Sequence, residues 1–179
     1  MRSTHLLRFA PTAPRYVSIV LILLATASTS FAQSKVGGHF GMVTPLVQLA
    51  AGDVSIAADG LGLGFPMGLN LGVKPGVAFD LELVPFIQDN QVSNVLIHPG
   101  ALMALTNGYT FGLRAAFETG GAYGVTALLN KGKRISKDVT LFAEFVVPIR
   151  FFREAPQFEG EVTDVRKAIA GALHVGIGF

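Results

Sequence analysis

The chain has 179 residues, half of them hydrophobic, with a mean hydropathy of +0.51 and neither cysteine nor tryptophan. Its length suits one domain, and zero cysteine excludes disulfide scaffolds, thiol catalysis, cysteine-based zinc sites, iron–sulfur clusters and a lipoprotein anchor. The formal net charge is +2, yet Arg2, Arg8 and Arg15 all precede the first acid, Asp53, so the basic excess is concentrated at the start of the chain.

Residues 17–27 (VSIVLILLATA) form an apolar run of eleven. As a helix this run spans about 16 Å, half of the ~30 Å hydrocarbon core, so it is too short for a permanent anchor. Small residues follow, with Ser30 and Ala32 placed as a cleavage site requires. The reading is a cleaved secretory signal over 1–32 and a mature domain over 33–179. That domain holds 11 basic and 12 acidic residues, a net charge of −1. The basic character belongs to the signal.

After Ala32 no stretch is long and apolar enough for a helical span. All 21 glycines lie there, several inside apolar segments, where each would cost a helix about 1 kcal/mol. The repeating signal is a period of two. Taken in chain order, the predicted strands are 36–49, 66–74, 77–86, 95–105, 109–118, 122–130, 141–152 and 166–179. Alternation is clean in 66–74, 77–86, 109–118, 141–152 and 166–179, and weaker in the other three. Eight segments of this length match the 9–11 residues of a tilted membrane strand.

Lys74-Pro75-Gly76 and Thr106-Asn107-Gly108 have tight-turn chemistry, with Gly free to take positive φ. The predicted links of the other parity are mostly longer: 50–63, 87–94 and the acidic 153–165. Two links break that rule, the short 118–122 and the long basic 130–138. Short turns at one end and longer loops at the other would place both chain ends on the short-turn side.

The last strand ends in Phe179, with Ile177, Val175 and Leu173 at alternate positions before it, Gly171 as a small-residue departure, and Ile169 restoring the pattern. With the signal and the eight segments, the chain resembles the small outer-membrane β-barrels of Gram-negative bacteria, the OmpA/OmpX/OmpW-like group. The resemblance implies an all-β, eight-stranded antiparallel up-and-down barrel. It also implies that Leu173, Val175, Ile177 and Phe179 serve as a signal to the barrel-assembly machinery, with outer-membrane lipid and lipopolysaccharide as surroundings. Tyr109, Tyr123, Phe151 and Phe179 stand at strand ends, where an aromatic girdle would fall.

Alternation puts Asp80, Glu82, Arg114, Glu118, Glu144 and Arg150 on one face, the lumen if the other face meets lipid. Buried carboxylates require partners, so a salt-bridge network is expected. An eight-stranded barrel is filled by its own side chains, which favours a structural plug over an ion path. His39, His98 and His174 lack metal-ligand spacing and read as hydrogen-bonded lumen residues. Ser34, Ser55, Ser93 and Ser136 sit in terminal or loop regions, so spacing assembles no triad. Gly60-Leu61-Gly62-Leu63-Gly64 has neither a dinucleotide frame nor a P-loop lysine. Lys131, Lys133, Arg134 and Lys137 form a basic turn suited to phospholipid head groups rather than nucleic acid.

The expectation is therefore a barrel without enzymatic activity, cofactor or metal, in a structural or envelope-interaction role with 50–63, 87–94 and 153–165 as contact loops. Two rivals stand beside it. One is a small-solute channel; the other is a soluble lipocalin-like binder, which would have apolar residues inside and the charges outside.

Overall fold

The computed structural model describes residues 35–60, 62–153 and 165–179. The proposed signal lies outside these residues, as does the interior of the acidic segment 153–165. Ten strands form one antiparallel sheet: β1 Val36–Ala50, β2 Asp53–Ile56, β3 Leu63–Gly64, β4 Met67–Lys74, β5 Val77–Gln88, β6 Gln91–Ala104, β7 Tyr109–Glu118, β8 Tyr123–Arg134, β9 Thr140–Arg153 and β10 Val165–Gly178. The segments rich in Val, Phe, Ile and Leu at alternate positions are the ones that become strands, because branched and aromatic side chains pack well on a pleated surface.

The sheet closes on itself. β1 pairs with β10 from His39↔Gly178 to Ala50↔Ala168. The seam extends one residue further, where Gly38 N–H donates to Phe179 O at 2.8 Å and Phe179 N–H donates back at 2.9 Å. β2, β3 and β4 all pair with β1 and together make one interrupted stave, so the barrel has eight staves. The interruption falls at Phe65-Pro66, since Pro has no N–H to give to a ladder. Flanking groups bridge the gap: Gly41 N–H donates to Pro66 O and Phe65 N–H to Pro85 O, both at 3.0 Å.

Two register irregularities interrupt the alternation, one within the predicted strand 36–49 and one just ahead of 95–105. In β1, Pro45 pairs with Ala172 but Val47 with Gly171, leaving Leu46 as an extra residue. In the β5–β6 ladder Phe86 pairs with Asn94 and Ile87 with Val92, leaving Ser93 extra. Each bulge shifts the side-chain parity by one. Phe40 and Met42 therefore share a face with Val47 and Leu49, although their numbers differ in parity.

The link lengths depart from expectation. Residues 87–94 are not a long loop: Asp89 and Asn90, with φ of 52° and 60°, close a two-residue hairpin. Both residue types tolerate the left-handed region, which gives the tight turn that matches strand twist. Residues 50–63 contain the turn Ala51-Gly52, the strand β2 and a 3-10 turn over Ala57–Asp59. The basic segment 130–138 is largely strand, because β8 runs to Arg134 before the turn. Tight connections thus occur at both ends of the described barrel, while the link between Arg153 and Val165, at the end opposite the chain ends, is long as expected.

The two faces differ sharply. Leu113 and Phe145 point outward and are 52% and 50% exposed, whereas Asp80, Glu82, Arg114 and Glu144 point inward and are 0–3% exposed. Among the described residues, the outward positions of β5 and β7, and those of β9 from Leu141 to Phe151, carry no charge. A lipocalin-like arrangement needs the reverse, and this geometry overturns it. Tyr109 and Phe179 lie at the rim that holds both described chain ends; Tyr123 and Phe151 pair at the opposite rim with ring centroids 5.9 Å apart.

Gly124, on the inner face of β8, lies so close to β9 that a Cβ there would sit 1.9 Å from Ile149 O. Overpacking a site bounded by backbone costs roughly 1–3 kcal/mol. Gly124→Ala is expected to lower the temperature at which the folded band converts on a detergent gel. Gly120→Ala, where the nearest atom is 3.8 Å away, is expected to leave it unchanged.

Candidate functional site

The inward charges meet near the middle of the lumen. Arg114 on β7 donates from Nε to Asp80 Oδ2 at 2.5 Å, and from Nη1 to Glu82 Oε1 and Glu144 Oε1 at 3.2 Å each. Its partners stand on β5 and β9, so a single guanidinium ties together staves that are not neighbours. The planar fork of Arg suits this work, because several N–H groups leave it in fixed directions.

One guanidinium faces three carboxylates, and two of these, Glu82 and Glu144, also face imidazoles. His39 Nε2 stands 2.9 Å from Glu82 Oε2, His98 Nδ1 lies 3.1 Å from Glu82 Oε1, and His174 Nδ1 lies 3.2 Å from Glu144 Oε1. A carboxylate only accepts, so each of these ring nitrogens carries the hydrogen. His98 has its tautomer fixed from the other side: Arg150 Nη2 donates to its Nε2 at 3.0 Å, and the Thr126 hydroxyl lies 3.1 Å away. Its proton is therefore on Nδ1. Asn130 Nδ2 donates to Glu144 Oε2 at 3.2 Å.

A second group adjoins the first on the side of the Tyr123–Phe151 rim. Arg150 Nε donates to Glu118 Oε1 at 2.8 Å, and its Nη2 donates to Thr126 Oγ1 at 3.0 Å. Asn94 Nδ2 donates to Glu118 Oε2. The six charges expected in the lumen thus separate into a quartet, Asp80, Glu82, Arg114 and Glu144, and a pair, Glu118 and Arg150. His98 and Thr126 join them. Thr126, Asn94 and Asn130 were not singled out in the sequence. Their signal was inward parity on segments whose alternation is weak or broken by a bulge.

Aromatic and apolar side chains flank the quartet. On one side the Phe142 ring meets His174 edge-on at 4.9 Å and His39 at 6.1 Å, while Leu128, with Leu102 against it, packs into the apolar cluster of Val84, Leu96 and Val146. The stave that sends no side chain into the cluster still takes part. Gly68 on β4 makes room for His39, since a Cβ there would lie 2.1 Å from the ring. A recess of about 60 Å³ lies against the quartet, lined by Val84, Leu96 and Val146 together with Glu82, Arg114 and Glu144. It leads to a larger one of about 280 Å³ bordered by Gln48, Asn94, Glu118 and Arg150. Among the described residues no group of His, Asp and Glu has the arrangement of a metal site. The terminal residues Leu173, Val175, Ile177 and Phe179 all point outward and are exposed along the seam strand.

No family model and no curated protein matches the chain. Solved structures similar to it include the outer-membrane protein AlkL in lipid bilayers, at 10% identity and a TM-score of 0.48, covering 82% of this chain and 90% of that one. The outer-membrane protein OprG from Pseudomonas aeruginosa is 9% identical with a TM-score of 0.41, covering 80% and 92%. The designed barrel TMB2.3 is 10% identical with a TM-score of 0.49, covering 83% and 95%.

Removing one partner from a buried ionic cluster costs about 3–5 kcal/mol, because the remaining charges lose their compensation. Arg114→Met is expected to destabilise the folded barrel by about that amount in urea titration. Adding Asp80→Asn, Glu82→Gln and Glu144→Gln is expected to recover part of the loss. A neutral Arg114→Met would contradict the assignment of Arg114 as the centre of the cluster.

Proposed function

We propose that the chain is an outer-membrane β-barrel with its lumen closed by side chains, acting in a structural or envelope-interaction role without enzymatic activity. The observation that carries this reading is the polar cluster itself: charged or hydrogen-bonding side chains from seven staves meet across the lumen, and the eighth supplies Gly68 against His39. A water-filled path would have to run where these groups bond to one another. The segments at the Tyr123–Phe151 rim are the contact surfaces in this reading.

The outer face supports a membrane setting. The outward side chains from Leu141 to Phe151 on β9 are all apolar. Ten residue steps at roughly 3.3 Å, tilted by about 40°, cover about 25 Å of height, the depth of an outer-membrane apolar band. Aromatic residues stand at both limits, as they do where a barrel meets head groups. Export through a cleaved signal and recognition of the Phe179 end by an assembly machinery belong to the same reading.

A planar bilayer holding the purified barrel is expected to show no resolvable unitary conductance. Steady current steps would favour the small-solute channel instead. The membrane setting has its own test in Leu113→Arg, which places a charge mid-band on β7. In lipid this costs about 2–4 kcal/mol, so assembly into the membrane fraction is expected to fall. Unchanged fractionation, with the protein in the soluble periplasm, would overturn the membrane reading.

A further inference from the structure

The lysines at the chain-end rim have no use in the lumen cluster. Lys131 and Lys133 lie on the outward face of β8, paired across β9 with the outward residues Ala143 and Leu141. Lys74 reaches the same outward set at the end of β4 through a register shift, opposite Val77. The turn after β8 adds Lys137, and Arg134 and Lys35 stand at the same rim, with Asp138 as the acid beside them. The opposite rim is mixed: Asp53, Asp59, Asp89 and Glu118 accompany Arg153, Arg166 and Lys167.

Three details give this rim a partner. The Lys131 ammonium lies 4.0 Å from the centroid of the Tyr109 ring and donates to Asn107 O, so it is held at the level of an aromatic residue suited to the head-group layer. Neither contact neutralises its charge. Among the described residues no carboxylate pairs with Lys74, Lys131 or Lys133. Finally, these lysines border the apolar band, where a long side chain can lay its stem along hydrocarbon and keep its ammonium at head-group level. The chemistry that meets a ring of outward ammonium groups at that depth is the phosphate of an anionic lipid.

We infer that the rim formed by Lys74, Lys131 and Lys133 binds the phosphate head groups of anionic glycerophospholipids, with Tyr109 setting the depth of Lys131. This rests on the membrane reading above. It makes the barrel asymmetric toward its two leaflets: the chain-end rim selects anionic phospholipid, and the opposite rim does not.

The test is lipid retention by the full mature chain inserted into vesicles of phosphatidylcholine containing one-fifth phosphatidylglycerol. After mild detergent extraction, the lipids that stay bound are weighed by native mass spectrometry. Each lysine near a charged surface contributes enough for about a fivefold preference. Wild type is therefore expected to retain phosphatidylglycerol several-fold over phosphatidylcholine. Lys131→Gln with Lys133→Gln is expected to lose most of that preference, while Lys131→Arg with Lys133→Arg and the opposite-rim Lys167→Gln keep it. Inorganic phosphate is expected not to displace the lipid, which separates a head group from a free anion. Equal retention of the two lipids by a properly inserted barrel would overturn the rim site while leaving the membrane reading intact. A preference that survives the Gln pair would overturn it as well. Failure to insert into any vesicle would remove both.

Discussion

The pairing of β1 with β10 is the constraint from which the other features follow. An open sheet leaves a row of unpaired peptide groups at each edge, and each such group in hydrocarbon costs several kcal/mol. Here the seam runs from Ala50↔Ala168 to the Gly38–Phe179 bonds, and no edge remains along it. Closing eight staves fixes a narrow interior, too tight to leave a wide channel and too polar along its inner positions to pack as a hydrocarbon core. The chain meets this with small residues where staves or side chains come close, and with charges placed so that each has a partner. Arg114 is the point where the solution converges, because its three carboxylate partners come from two other staves.

Much of the architecture was legible in the residues. Tyr109–Glu118 reads as a strand and is one, to the residue, because its apolar set keeps a single parity from Tyr109 to Phe117. Val36–Ala50 was harder because Leu46 is an extra residue in the β1–β10 ladder, so the outward set changes parity halfway. The same happens at Ser93, which hid the first part of β6. A bulge is a pairing between two segments, so one segment read alone shows it only as noise. The hairpin at Asp89-Asn90 escaped notice because its signal is two residues that merely tolerate positive φ, without the glycine of Asn107-Gly108.

The candidate site was legible as a set and not as a geometry. Parity alone brought Asp80, Glu82, Arg114, Glu118, Glu144 and Arg150 to one face. It could not say that Arg150 would take Glu118 and His98 while Arg114 took the other three carboxylates. That division depends on the stagger between staves, which sets the height of each residue along the barrel. The fine choice of partners therefore belongs to register, a property of the whole closed sheet. The histidines show the same dependence. No spacing links His39, His98 and His174, yet closure places two of them on Glu82 and the third on Glu144.

Every membrane property of the barrel depends on which face of the sheet meets lipid, and the absence of cysteine makes that directly measurable with single labels. Phe145→Cys on the outward face of β9, carried by the barrel in vesicles, can be labelled with a fluorophore and challenged with two quenchers. Quenching by a nitroxide fixed on the lipid acyl chain, with protection from a water-soluble quencher, is the predicted result. Quenching from water and indifference to the acyl-chain nitroxide would contradict it.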